Sequence, residues 1–241
     1  MKNILITGGS RGIGACLVRE LAKRGNSVVL NYNKSEKEAK NIQKELEELG
    51  IEIEIFKADV SKHDEVKRLR QFFFSKYKNI DVLINNAGIS QIKLFTEITD
   101  EDWEKMLSTN LNSVFYTTKE FVNNMIENKS GCIINISSIW GVVGGSCEVH
   151  YSTAKAGIIG MTKALAKEMG PSNIRVNSIA PGIIDTDMNN DLTSQDIEEL
   201  KKEIPLKRVG TAEEIAKTVK MLIENEYITG QIISVNGGWY M

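Results

Sequence analysis

The chain reads as an α/β protein: a doubly wound parallel sheet of about seven strands in one domain, with helices on both faces. Three observations predict this. Short apolar runs alternate with longer amphipathic segments from end to end, the pattern of strand–helix–strand units joined by right-handed crossovers. A glycine-rich turn, Gly8–Gly14, stands at the first junction, where such folds approach a ligand most closely. Proline occurs only at 171, 181 and 205, with no repeat, low-complexity tract or linker, so residues 1–241 are expected to form a single domain.

In order, Asn3–Thr7 is a short apolar strand, and Ile13–Arg24 has helical periodicity closed by Gly25. Ser27–Asn31 is a strand. Ser35-x-x-Glu38 has the form of a capping box opening a helix to Leu49, stopped by Gly50. Ile51–Lys57 alternates with Glu and reads as a strand nearer an edge. Ser61-x-x-Asp64 opens a helix to Tyr77, and Asp81–Asn85 is a strand. Thr99-x-x-Asp102 opens a long helical region reaching Glu127. Cys132–Ser137 is a buried strand, 149–169 a helix and Ile174–Ile179 a strand. Residues 186–205 are polar and weakly periodic, and read as a lid. Thr211-x-x-Glu214 opens a helix to Glu224, and Gln231–Val235 is the last strand.

The chemistry centres on Ser138, Tyr151 and Lys155. Four residues apart on a helix, Tyr151 and Lys155 project from one face. A Lys ammonium near a phenol favours the phenolate, so Lys155 is expected to make Tyr151 acidic. Ser138 follows the buried strand, at the carboxyl edge where ligands bind. A Ser donor and a Tyr acid can polarise and protonate a carbonyl, and a reduction then needs a hydride source.

The first turn answers that need. Thr7-Gly8-Gly9-Ser10-Arg11-Gly12-Ile13-Gly14 follows a strand and opens a helix. Its glycines let backbone approach a pyrophosphate, and the helix N-terminus favours the negative charge. After the second strand, an acid would bind the ribose 2′-hydroxyl. Here Asn31-Tyr32-Asn33-Lys34 has none, and Arg11 reaches the same region, so NADP(H) is expected over NAD(H). Gly8-Gly9-Ser10-Arg11-Gly12 also fits a hydrolase nucleophile elbow, but it follows the first strand and the only histidines are 63 and 150, which argues against a hydrolase.

Composition narrows the class further. Thirty basic and 32 acidic residues, net −2, argue against a general nucleic-acid footprint. Cys16, Cys132 and Cys147 form no CxxC pair and fit a reduced, cytoplasmic setting. Cys147-x-x-His150 has the spacing of half a metal site, with no second ligand pair, so no metal is expected. Met1-Lys2-Asn3 precedes only three apolar residues, unlike a signal peptide. The longest uncharged run, Ser130–Cys147, holds Asn135, several serines and four glycines, and reads as strand plus loop instead of a membrane span.

Together, Thr7-Gly8-x-x-x-Gly12-Ile13-Gly14, Asn85-Asn86-Ala87-Gly88, Ser138, Tyr151-x-x-x-Lys155 and Pro181-Gly182 resemble the short-chain dehydrogenase/reductase family, in order over essentially the whole chain. Asp185-Thr186-Asp187-Met188 and the stretch Tyr227–Gly238 look closest to its 3-oxoacyl-acyl-carrier-protein reductase branch. The resemblance implies a Rossmann-type fold and assigns roles. Tyr151 is the general acid, Lys155 lowers its pKa and holds the nicotinamide ribose, and Ser138 bonds the substrate oxygen. Asn110 holds a water in a proton relay. Gly8, Ser10, Arg11, Gly12, Ile13 and Gly14 form the phosphate turn, and Asp59 and Val60 contact adenine. Asn86, Ala87 and Gly88 pass along the cofactor, and Pro181, Gly182, Ile184 and Thr186 lie on its nicotinamide side.

The branch implies a role in fatty-acid synthesis, with acyl carrier protein as partner and a homotetramer built through the long helix, the Tyr-bearing helix and the last strand. Reductases of this branch meet their acidic carrier with basic residues at the cleft rim. Lys129 matches one of them, whereas the other falls on neutral Ser172. The run from Ser138 to Val149 also resembles a subgroup linked to a ketone on a modified lysine of elongation factor P. Trp140 and Trp239 read equally as core aromatics or as lining of an acyl pocket. A dinucleotide-binding regulator that has lost the chemistry is the alternative of another class, and the intact Asn110, Ser138, Tyr151 and Lys155 count against it.

Overall fold

The computed structural model describes residues 1–189 and 193–241. Its strands are β1 (Asn3–Ile6), β2 (Ser27–Tyr32), β3 (Glu54–Lys57), β4 (Val82–Asn85), β5 (Gly131–Ile136), β6 (Ile174–Pro181) and β7 (Ile232–Val235). They form one parallel seven-stranded sheet in the order β3-β2-β1-β4-β5-β6-β7. After β3 the chain crosses back to lay β4 beside β1. The strand order reverses at this pair, and the crevice in which such a topology binds ligands lies at its carboxyl end.

The helices are α1 (Gly12–Ala22), α2 (Glu36–Glu47), α3 (His63–Lys76), α4 (Asp100–Leu107), α5 (Ser113–Asn128), α6 (Trp140–Val143), α7 (Val149–Met169), α8 (Ser194–Glu203) and α9 (Ala212–Glu224). Strand alternation divides the core. Ile4 and Ile6 of β1 pack with Leu17, Leu46 and Val219 from α1, α2 and α9. Leu5, between them in sequence, joins Leu69, Phe73, Phe121 and Ala166 from α3, α5 and α7 on the other face. Successive side chains of a strand point to opposite faces, so a sheet covered twice needs apolar residues throughout.

Several boundaries differ from the sequence reading. Ser35 caps nothing with its side chain. Ser61 bonds the Asp59 carboxylate at 2.6 Å, and α3 starts after Lys62. The predicted boxes at Thr99 and Thr211 do form, with Thr99 N–H donating to Asp102 and Thr211 N–H to Glu214. The long helical region is interrupted at Ser108–Asn112 by a π-helical turn, a feature that concentrates at functional sites. Within the expected lid, residues 190–192 lie outside the described residues. Its second half is α8, opened by a Thr193–Asp196 capping box.

Candidate active site

The glycine turn is shaped by what it touches. Gly8 has φ +62°, and a Cβ there would lie 2.8 Å from the Ala87 Cα. Only glycine serves at such a position. Thr7 Oγ1 accepts from the N–H groups of Asn86 and Ala87 at 3.0 and 3.1 Å, and the Asn86 amide donates to the carbonyls of Thr7 and Gly8 at 3.0 Å each. The loop after β4 is thereby laced to the turn after β1. Thr186 lies across Gly12, within 3.3 Å of where a Cβ would stand.

Helix α1 starts behind Arg11, whose extended backbone provides no side-chain cap, and its first turn carries no acid. The first turns of α2, α3, α4 and α9 all carry acids. The free N–H groups and positive end of α1 are thus left for an anionic ligand. This cradle fits the pyrophosphate of a dinucleotide.

Arg11 and Asn33 are exposed beside the turn, Ser10 is nearly buried, and Ile13 is half-buried. Asn31 is placed differently from the expectation. It is 1% exposed, donates to Ala58 O at 3.0 Å and Phe56 O at 3.3 Å, and accepts from Gly8 N–H at 3.4 Å. Its polar atoms join β2 to β3 and steady the turn, so little remains for a ribose. Asp59 is half-buried past β3, with one carboxylate oxygen held by Ser61, and Val60 is buried. Pro181 and Ile184 are buried at the end of β6, and Gly182 N–H donates to Val235 O at 2.9 Å.

The reacting groups meet at the carboxyl end of β5. Helix α7 presents Tyr151 and Lys155, 7% and 4% exposed, with the Lys155 Nζ 5.6 Å from the Tyr151 ring centre. Lys155 donates to Ile136 O at 2.9 Å, and Ser137 Oγ donates to Lys155 O at 2.9 Å, pinning α7 to the strand end. Ser138, also buried, accepts from Trp140 N–H at 3.1 Å, which leaves its own O–H to donate. A Cβ on Gly88 would meet Asn110 Oδ1 at 2.6 Å and Lys155 Nζ at 3.5 Å, so Asn110 and Lys155 converge on the loop after β4. The Asn110 side chain, in the π turn, accepts from Ile89 N–H and donates to Ile89 O, both at 3.0 Å.

The electrostatics correct one expectation. Burial pushes the Tyr151 phenol up to about 12, partly offset by the neighbouring Ser138 hydroxyl and reinforced by Glu148. Burial also pulls Lys155 down to about 8. Lys155 was expected to make Tyr151 acidic; in this arrangement desolvation of both charged forms outweighs their attraction, and the Lys155 ammonium bonds a carbonyl instead of the phenol oxygen.

The sequence reads His150, adjacent to Tyr151, as structural or as pocket rim, and gives no sign of the residues it joins. His150 is fully buried, and its Nε2 lies 2.9 Å from Gln91 Oε1. Gln91 donates to Asp102 at 3.1 Å, and Asp102 pairs with Lys93 at 2.6 Å. Adjacency of His150 to Tyr151 was the available signal, but its partners lie about 50–60 residues away in sequence and only folding joins them. Among the described residues, no three His, Cys, Asp or Glu side chains assemble as a metal site. Also missed was Glu148, half-buried at the start of α7, whose carboxyl burial raises to about 7.

Comparison with known proteins agrees with this geometry. A family model described as short chain dehydrogenase matches residues 2–197. The 3-oxoacyl-[acyl-carrier-protein] reductase FabG of Buchnera aphidicola is 42% identical over 242 residues, covering 100% of this chain and 98% of that protein. The protein of the same name from Staphylococcus epidermidis is 40% identical, covering 100% of this chain and 99% of that one. Its counterpart in Chlamydia trachomatis is 44% identical over 239 residues, covering 98% and 96%.

Proposed function

Because the chain belongs to the short-chain dehydrogenase family, we propose that it is an NADP(H)-dependent reductase of 3-oxoacyl thioesters on acyl carrier protein, forming 3-hydroxyacyl thioesters for fatty-acid synthesis. The observation that carries this reading is the meeting of buried Ser138, Tyr151 and Lys155 at one strand end, opening on the crevice beside the glycine turn.

The cofactor, when bound, supplies a hydride to the carbonyl carbon. The turn Gly8–Gly14 would hold its pyrophosphate, with Arg11 and Asn33 free to meet a 2′-phosphate. Asp59 and Val60 would take the adenine side, Asn86, Ala87 and Gly88 the middle, and Pro181, Gly182, Ile184 and Thr186 the nicotinamide side. Ser138 donates its O–H to the ketone oxygen and draws charge onto it. Tyr151, protonated at neutral pH as any phenol is and more firmly so for its burial, gives its proton to the same oxygen. An alkoxide is more basic than a phenolate, so the transfer runs downhill even from a phenol at about 12. As the phenolate forms, the nearby Lys155 ammonium stabilises it. Asn110 keeps the π turn and the loop after β4 together beside Lys155, where a relay of protons from solvent would end.

Exposed Lys129, at the end of α5, supports carrier docking. The reading expects a cytoplasmic homotetramer. Among the described residues no helix is long and apolar enough to cross a membrane. The test is NADPH oxidation with an acetoacetyl thioester. Tyr151→Phe lowers kcat by about 10²–10⁴-fold. Equal rates would remove Tyr151 from the mechanism, and a preference for NADH would overturn the cofactor choice.

A further inference from the structure

His150 and Tyr151 are neighbours in the first turn of α7, and neighbours on a helix project about 100° apart. Tyr151 lies toward Lys155, whereas His150 turns to the loop after β4 and to α4 behind it. The polar chain there has one direction. Lys93, with Thr99 and Gln91, holds the Asp102 carboxyl well below the usual carboxylate range, so its oxygens only accept. The Gln91 amide therefore turns its NH2 to Asp102 and its Oε1 to His150, and His150 must donate from Nε2. Burial pulls the imidazole below its usual pKa, so the ring is neutral and Nδ1 carries no proton. Nδ1 meets no polar partner among the described residues, so the hydrogen bonding of the ring rests on Nε2. The loop it meets is fixed on either side of Gln91, with Ile89 bonded to Asn110 and the Lys93 N–H donating to Cys147 O at 2.7 Å.

Resting on the reductase reading, we propose that His150 is a positioning residue: through Gln91 and Asp102 it fixes the first turn of α7, and with it the Tyr151 ring, against the loop after β4. Proton transfer needs the phenol oxygen within hydrogen-bond reach of the ketone, and a misplacement of about 1 Å can cost about 10²-fold in rate. Two other side-chain bonds hold the start of α7. Ser137 Oγ donates to Lys155 O, and Ser152 Oγ accepts from Gly145 N–H at 2.9 Å. Both run to the stretch between β5 and α7, the side on which Ser138 lies. The His150 bond runs to the other side, to the loop whose residues 86–88 the reading gives to the cofactor. Of the three bonds, it is the one that sets Tyr151 relative to the hydride source.

The test is NADPH oxidation by the whole chain with an acetoacetyl thioester. His150→Leu and Gln91→Leu each remove the bond, and each is expected to lower kcat about tenfold or more. The Kd for NADPH, read from its fluorescence, is expected to stay within about twofold, because Thr7 and Asn86 brace the glycine turn independently. The double variant is expected to be no slower than the slower single one, as for two groups acting through one bond. His150→Gln can donate an amide N–H from near the Nε2 position, and is expected to hold kcat within about threefold of the unaltered protein. A side chain that only fills space would behave otherwise: Leu would serve as well as Gln, and the losses would add. A kcat within about twofold of the unaltered protein in either Leu variant, additive losses in the double variant, or equal losses in His150→Gln and His150→Leu overturns the inference and leaves the reductase reading standing. Should His150→Leu fail to fold, Gln91→Leu at a half-buried position and His150→Gln decide the matter between them. If the unaltered protein does not oxidise NADPH with the thioester, the reductase reading fails and the inference falls with it.

Discussion

At the residue scale, desolvation governs the site. Lys155, drawn down to about 8 by burial, is mostly an ammonium at neutral pH and loses its charge as pH rises past that value. Reduction that relies on this charge should weaken above about pH 8, read as kcat/KM for NADPH, which reports the free enzyme. A profile flat from pH 7 to 9.5 would contradict the role given to the ammonium. Glu148 has the opposite linkage. The unfolded chain ionises it near its ordinary value, whereas the folded chain holds the proton to about 7. The resulting cost is absent in acid and grows as pH rises through that window. Solvent screening at a half-buried site reduces the effect, so Glu148→Gln should stabilise the fold by about 1 kcal/mol at pH 8 and by less at pH 5, measured by urea unfolding. Tyr151, Lys155 and Ser138 were legible as residue types at telling spacings. The direction of their proton equilibria was not, because burial is supplied by residues far along the chain.

At the element scale, a buried ladder of amides and hydroxyls joins sheet to helices. Asn85 of β4 donates to Asn135 of β5 at 2.9 Å and accepts from Thr117 of α5 at 2.6 Å, and Asn135 donates to Thr162 of α7 at 2.9 Å. These groups are 2% exposed or less. Asn135→Ala would remove the bond to Thr162 and leave the Asn85 amide only Thr118 at 3.3 Å, and should cost about 1–3 kcal/mol, seen as a lower urea midpoint with unchanged slope. Polar residues inside apolar strand runs were visible in the sequence, but their cross-strand partners depend on register. Capping signals read unevenly for a similar reason. Ser61 has the right spacing to Asp64, yet Asp59 two residues earlier captures its hydroxyl. Helix α8 carries the same signature at Thr193 and Asp196 inside the weakly periodic segment read as a lid, and no residue of that helix is buried.

At the scale of the whole molecule, α5 leaves Phe115 and Ile126 exposed, an apolar surface that the proposed tetramer would cover. Light scattering at micromolar concentration should give four times the chain mass, and a monomer would overturn that assembly. The order of strands and helices, the double-sided core and the place of the glycine turn followed from the sequence by itself, because periodicity and turn chemistry are local and each strand must be apolar on both faces. Only the tertiary structure decided which polar groups remain free to act. Asn31 and the Asn86 amide nitrogen are engaged in bracing the turn, His150 is tied to Gln91, and Glu148 is half-buried near Tyr151. The physical reason is that hydrogen-bond partners and desolvation are set by residues distant in the chain, and no spacing along it encodes which of them arrive first.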